Sequence, residues 1–206
     1  MGAYQTPRKM ETIPLISTIA MTLGVFAFIF WFAQRATRNN HKQMQLLAAH
    51  FQLQAQKHKS FWQLPVLTGE LEGFPIQIKV EPNAGSEAND MEVLLTVPPQ
   101  QFNLIIRRKL RLGKQKTDVA LMDNQVDDFY IFKTEYPDQT RRFLQDREIK
   151  AHLYEFRDKM LLGTSIRLQG DQMRYIMTFA NVGDKKRPKI ISTIELMVFL
   201  AGKLTS

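Results

Sequence analysis

The chain contains no cysteine, and this absence is the first limit on its chemistry. Without thiols it has no disulfide, no thiolate nucleophile and no cysteine-based zinc or iron–sulfur site. Four common signatures are missing as well, namely G-x-S-x-G, G-x-x-x-x-G-K-[ST], H-E-x-x-H and G-x-G-x-x-G. These absences point away from the best-known hydrolase, nucleotide-binding and metalloprotease classes. We therefore expect no cofactor and no catalytic residue, and we lean against an enzyme.

Metal-binding patterns are equally scarce. The four histidines are His41, His50, His58 and His152. Steps of nine and eight residues between the first three do not bring two ring nitrogens over one metal ion, as a step of three or four on a helix would. The acidic segment 123–128 begins like a calcium loop, but Asp128 stands where the turn needs glycine and Thr134 where a glutamate belongs. We predict a solvated loop there and no metal site.

Charge is absent from residues 13–33, a run of 21 residues. At about 1.5 Å per helical residue this run reaches about 31 Å, the thickness of a bilayer core. It is too long for a cleaved signal peptide and ends in bulky aromatic residues. We predict a membrane-spanning helix that remains attached, in contact with lipid through Ile13, Phe26, Phe30, Trp31 and Phe32.

Basic residues flank this run unequally. Arg35, Arg38 and Lys42 follow it, whereas Arg8 and Lys9 precede it. Because basic residues favour the cytoplasmic side, this difference of one predicts that the soluble domain faces the cytoplasm.

Four segments follow from these patterns. We predict an N-terminal tail at 1–12, the membrane helix at 13–33, an amphipathic juxtamembrane helix at 34–59 and an α+β soluble domain at 60–206. The amphipathic stripe comprises Met44, Leu47, Ala48, Phe51 and Ala55. It either packs on the domain that follows or forms a seam for self-association, and the sequence leaves the oligomeric state open.

Beyond Pro65 the hydrophobic residues alternate with a period of two, which is typical of strands with one buried face. We predict strands at 66–71, 74–80, 91–97, 102–112, 129–133, 164–169 and 172–180, with hairpin turns at Glu72-Gly73 and Gly170-Asp171. One helix is predicted from Pro137 to about Lys159. A second follows a capping box at residues 192–195, after a charged loop at 185–188. The fold class is α+β, with a mainly antiparallel sheet and helices packed on one face.

Cationic side chains recur on the polar side of the predicted strands. They are Lys79, Arg107, Lys109, Arg111, Arg167 and Arg174. The chain has a net charge of +8, so three interpretations compete. They are an ordinary solvated face partly neutralised by the nearby Glu70, Glu81 and Glu92, a surface for anionic lipid or an acidic protein partner, and a nucleic-acid surface. The aromatic residues that would stack on bases alternate onto the buried side, which argues against nucleic acid.

Several short segments carry a resemblance to known sequences. LLAAHF, GELEGFPIQI, DDFYIF and RRFLQDREIKAHL, which lie after residue 45, resemble a set of uncharacterised bacterial proteins with an N-terminal membrane segment and a domain of unknown function. The resemblance implies a bacterial source and a single membrane-attached domain. It implies no catalytic residue.

Two functions remain open at this stage. The first is a single-pass, membrane-anchored binding or scaffold protein whose basic face contacts an acidic partner or an anionic lipid surface within a bacterial envelope assembly. The alternative is a membrane-tethered enzyme or small-ligand receptor with a pocket between sheet and helices, lined by residues such as Asp127 or Arg108. The alternation predicts that Arg108 points inward, where a charge needs a partner.

Overall fold

The computed structural model describes residues 12–56, 64–82, 89–109, 116–161, 163–178 and 184–205. Its helices are α1 (Thr12–Phe51), α2 (Asn124–Asp127), α3 (Pro137–Leu144), α4 (Arg147–Phe156) and α5 (Arg187–Lys203). Its strands are β1 (Gln54–Gln56), β2 (Val66–Leu71), β3 (Phe74–Pro82), β4 (Asn89–Thr96), β5 (Leu104–Arg108), β6 (Tyr130–Lys133), β7 (Ser165–Gln169) and β8 (Gln172–Thr178). The chain divides into one unit at Met1–Arg38 and a second at Asn39–Ser206.

The first unit contains the N-terminal part of α1, which exposes large apolar side chains. Phe26 is 65% exposed, Phe30 58% and Trp31 52%. The side chains of Ile13 and Phe32 lie outside those that the structure describes.

The predicted membrane-spanning helix is not supported by the structure. Among the described residues, no helix combines the length and the apolar character that a bilayer crossing requires.

The second unit is built on one eight-stranded sheet in the order β1-β2-β3-β4-β8-β7-β5-β6. Every neighbouring pair of strands is antiparallel. The α+β class and the antiparallel sheet predicted from the alternating pattern are therefore confirmed.

One face of the sheet carries the core. A row of fully buried side chains crosses six strands through directly paired positions. They are Ile78, Val93, Tyr175, Ile166, Ile106 and Phe132. Met44 and Leu47 of α1, Leu153 of α4 and Ile190 of α5 belong to the same buried cluster. The opposite face keeps its polar side chains and provides the site described below.

Both predicted hairpin turns are present. Glu72 and Gly73 connect β2 to β3 with positive φ angles of 49° and 87°, and Gly170 connects β7 to β8 with φ 59°. Two successive left-handed residues suit the twist of an antiparallel hairpin, and glycine adopts this conformation without a steric penalty.

The predicted amphipathic helix ends earlier than its pattern suggested. Met44, Leu47 and Ala48 are buried as expected, but α1 stops at Phe51 and Ala55 lies in β1, which pairs with β2. A Cβ atom added at Gly69 would lie 2.7 Å from Leu53 Cδ2. Because glycine has no side chain, Leu53 can pack directly on β2 at this position.

The single helix predicted from Pro137 to Lys159 is interrupted. Helix α3 ends at Leu144, and the carboxylate of Asp146 then accepts hydrogen bonds from the backbone N–H groups of Glu148 (2.7 Å) and Ile149 (3.1 Å). That is the geometry of an N-cap, so α4 begins anew at Arg147. A periodic hydrophobic pattern continues across such a break and does not reveal it.

Two further boundaries differ from the prediction. The last helix begins at Arg187, where Pro188 occupies its first turn, so residues 192–195 lie inside α5 and Thr193 donates to Lys189 O at 2.7 Å. The predicted strand 102–112 is regular only over β5, and residues 110–115 lie outside the described part of the chain.

Candidate functional site

The antiparallel register places three cations on the polar face of strands β5, β6 and β7. Ile105 lies directly opposite Lys133 on one side and Arg167 on the other. Arg107, two residues further along β5, is the diagonal neighbour of both. Diagonal Cβ atoms are about 7–8 Å apart, and positions two strands apart are separated by about 10 Å. Side chains of this length can therefore converge on one bound group.

These three side chains line an open cleft of about 600 Å³. Arg108 and Lys116 contribute two more cations to its wall, and Thr164 and Ser165 contribute hydroxyl groups. None of the nine described residues that line the cleft is acidic, and only Ile131 carries a large apolar side chain. The cleft is therefore suited to an anion.

The contacts of the cleft cations leave most of their charge uncompensated. Lys133 forms an ion pair with Asp118 at 2.9 Å. Arg108 donates from Nη1 to Met160 O at 3.0 Å, and Arg167 donates from Nε to Ser165 Oγ at 3.2 Å. Both acceptors are neutral. Within the described ranges, Lys133 is the one cation of the five that has a carboxylate partner within 4.0 Å.

Two other members of the predicted basic face, Lys79 and Arg174, form ion pairs with carboxylates. Lys79 lies 3.0 Å from both Glu81 and Glu92, and Arg174 lies 2.9 Å from Glu92. The hydrogen bond to Glu92, followed by that to Glu81, raises the pKa of Lys79 above its ordinary value. The charges of Lys79 and Arg174 are therefore compensated within the sheet.

Of the two remaining predicted members, Lys109 is not among the described residues that line the cleft. Lys109 turns toward α2 and donates to Asp127 O at 3.3 Å. Arg111 lies outside the described residues. The binding role predicted for the six basic residues stays a prediction. Of the six, Arg107 and Arg167 are described as lining the cleft.

No family model matches the chain, and no curated protein matches it in sequence. Among solved structures, its fold is similar to that of the mycobacterial trehalose monomycolate transport factor A, TtfA. The TM-score is 0.51 at 11% sequence identity, and the match covers 80% of this chain and 93% of the TtfA chain in the crystal structure. At this identity the likeness to TtfA concerns the fold.

The acidic segment 123–128 has a structural role in place of the predicted solvated loop. Asp123 caps α2 by accepting from Gln125 N at 3.0 Å. Asp127 accepts from the backbone N–H groups of Leu121 (3.1 Å) and Asp123 (3.2 Å). These bonds hold the turn that precedes β6, which accounts for Asp127 without a ligand.

Arg108 is half-buried and not fully inward as the alternation predicted. Its bond to Met160 O ties the end of β5 to the turn after α4 and leaves the guanidinium at the cleft wall. The alternative function, with a pocket between sheet and helices, stays a prediction.

The histidines are dispersed. His50 lies 3.9 Å from Glu195, His152 stacks on Phe199 with a centroid distance of 3.6 Å, and His58 lies outside the described residues. Over the described part of the chain, no three His, Asp or Glu residues are arranged to hold a metal ion.

Sequence reasoning missed part of the cleft. Lys133 alternates with Phe132 at the end of a predicted strand, so its outward direction could have been inferred. Thr164 and Ser165 lie beside β5 because β5 pairs with β7, and Lys116 lies next to Thr117 and Asp118, which hydrogen-bond to Phe132 of β6. A periodicity argument cannot predict either arrangement.

The ion pair of Asp118 leads to a pH-dependent prediction. Lys133, and secondarily the Thr134 N–H at 3.2 Å, lower the pKa of Asp118 below its ordinary value of about 4. A lowered pKa in the folded state stabilises the fold above the unfolded pKa, and this contribution is lost as the pH falls through the folded value. Because both side chains are about one-third exposed, screening limits the contribution.

We expect Asp118→Asn to lower the free energy of unfolding by about 0.2–1 kcal/mol at pH 7. The difference from wild type should shrink as the pH falls below about 4. Urea unfolding at a series of pH values between 7 and 2 measures it. A difference that stayed constant across the series would contradict the assignment of the ion pair.

Proposed function

We propose that this chain is a membrane-attached binding or scaffold protein of the bacterial envelope, in which the cationic cleft binds an acidic group of a partner. The observation that carries the proposal is the cleft itself, with five cations on its wall and one carboxylate partner among the described residues. An assembly that supplies the missing negative charge would relieve the mutual repulsion of these cations.

The attachment is proposed to occur through segment 13–33. Phe26, Phe28 and Trp31, on the described part of α1, are each more than half exposed, and large aromatic side chains in contact with water favour burial in lipid. Arg35 lies over the Trp31 ring with its guanidinium carbon 5.4 Å from the ring centroid. Tryptophan beside arginine is typical of the interface between membrane and water.

Attachment is tested by expressing the full chain and separating the membranes from the supernatant by ultracentrifugation without detergent. Replacement of Phe26, Phe30 and Trp31 by serine should move the protein from the pellet to the supernatant, since three large apolar groups are removed. Wild type in the supernatant, or the variant unchanged in the pellet, would contradict attachment through this segment.

Binding is tested with the full chain held in nanodiscs of the neutral lipid phosphatidylcholine. The probes are phosphatidylglycerol vesicles, as an anionic lipid surface, and poly-L-glutamate, as an acidic protein surface. We expect at least one probe to bind wild type, and Arg107→Gln with Arg167→Gln to weaken binding about 30-fold. That figure corresponds to about 1 kcal/mol for each well-placed charge.

The matched control for the binding test is Arg141→Gln with Arg142→Gln. These two exposed arginines of α3 lie outside the cleft wall, so the control loses the same net charge. An equal loss in both double variants would assign binding to net charge and contradict a role for the cleft. Failure of both probes to bind wild type would also contradict a role for the cleft.

A further inference from the structure

We propose that the cleft recognises a phosphate group, carried by a lipid headgroup or free in solution, in preference to a carboxylate. The inference rests on the proposed function, because it names the chemistry of the acidic group that the same cleft binds. Three features of the wall carry it: the kind of cation, the available hydroxyl and the arrangement of the charges.

The cations are mainly arginines. Arg107, Arg108 and Arg167 present planar guanidinium groups, each able to donate two parallel hydrogen bonds to one oxyanion. Arg108 is oriented in advance by its bond to Met160 O, which occupies one donor and leaves others for a ligand. Holding the side chain before binding reduces the entropy that a ligand must offset.

Ser165 supplies a neutral donor between the arginines. The residue is only 7% exposed and lies directly opposite Arg107 in the sheet. Its Oγ accepts a hydrogen bond from Arg167 Nε at 3.2 Å, which uses an acceptor site of the hydroxyl and leaves its proton to donate. Thr164 beside it is committed, since it donates to Leu161 O at 2.7 Å.

The charges surround the bound group. Arg107, Arg167 and Lys133 occupy the corners of a triangle on three neighbouring strands, with Ser165 near one side. A carboxylate has two oxygens in one plane, and one bidentate arginine occupies both. A terminal phosphate has three oxygens directed to different sides, so it can meet all three corners simultaneously.

The size of the cleft indicates how large the bound molecule can be. At about 600 Å³ it is larger than a single inorganic phosphate and has space for the organic part of a phosphate ester. Ile131, directly opposite Arg107, provides an apolar contact within the wall. We therefore expect a phosphomonoester to bind more tightly than inorganic phosphate.

The test uses the full chain in phosphatidylcholine nanodiscs. Inorganic phosphate and acetate are compared by calorimetry at equal ionic strength. Vesicles containing phosphatidic acid, a phosphomonoester, are compared with vesicles containing oleate, a carboxylate, at matched surface charge. We expect phosphatidic acid to bind at least tenfold more tightly than oleate, and inorganic phosphate more tightly than acetate.

The variants assign the effect to the cleft. Arg107→Gln with Arg167→Gln should reduce the phosphate preference at least tenfold, whereas Arg141→Gln with Arg142→Gln should retain it. Lys116→Gln changes an exposed side chain and gives a second test if the first double variant folds poorly; it should weaken phosphate binding about threefold to tenfold.

The outcomes separate this inference from the proposed function. Binding of phosphatidic acid alone would support a lipid headgroup as the source, and binding of inorganic phosphate as well would support a free phosphate. Equal binding of phosphatidic acid and oleate would overturn the phosphate preference while the proposed function stands. If no anionic probe bound wild type, both would be overturned.

Discussion

Replacement of Phe132 by alanine is expected to lower the free energy of unfolding by about 3–5 kcal/mol. Phe132 is fully buried at the centre of β6, where it pairs directly with Ile106 and lies 6.1 Å from the Tyr130 ring. Removal of the ring loses its transfer free energy and leaves a cavity that a packed sheet fills only in part. Urea unfolding followed by circular dichroism measures the change.

The same substitution should affect the cleft. Ile131 and Lys133 flank Phe132 on β6 and project to the opposite face, so their positions depend on how firmly this strand is held. Phe132→Leu is the matched control, because it keeps most of the buried volume and should cost less than about 1.5 kcal/mol. Equal losses for alanine and leucine would contradict the packing assigned to the ring.

Replacement of Leu47 by alanine is expected to cost about 2–5 kcal/mol. Leu47 is fully buried on the C-terminal part of α1 and belongs to the main hydrophobic cluster, together with Met44. This packing, and the bonds of the buried Gln43 with Asp184 (2.8 Å) and Arg187 (2.7 Å), fix the end of α1 against the start of α5. Truncation should therefore raise hydrogen exchange over residues 40–51 before global unfolding.

Leu46 gives a matched control for this prediction. It is the same residue type one position earlier on α1, yet it is 38% exposed. Leu46→Ala should change the free energy of unfolding by less than about 0.5 kcal/mol. If both substitutions had the same effect, the helix face assigned to the core would be wrong.

Short-range patterns predicted much of the sheet. The alternation Phe74, Ile76, Ile78 places one face of β3 in the core, and the Glu72-Gly73 turn positions β2 beside it. These features could be predicted because strand periodicity and turn chemistry involve residues close together in the chain. Breaks such as the cap at Asp146 were missed, because the hydrophobic period continues on both sides of it.

For the basic face, the alternation along the strands predicts the direction of each side chain but not its partner. The sequence predicts that Lys79, Arg107, Arg167 and Arg174 have the same orientation, but not which of them meet acids. In the fold, Glu92 lies between Lys79 and Arg174, so those charges are compensated within the sheet. Arg107 and Arg167 are brought instead beside Lys133 and Ser165.

By itself, the sequence determined the antiparallel α+β class, the apolar face of each principal strand and the uncharged segment near the start. Those properties depend on side-chain type at a fixed local spacing. Only the tertiary structure decided that β5 lies between β6 and β7, and thereby that cations from distant parts of the chain line one cleft. Strand order depends on contacts between residues far apart in sequence, and no local period encodes which of several similar strands will be neighbours.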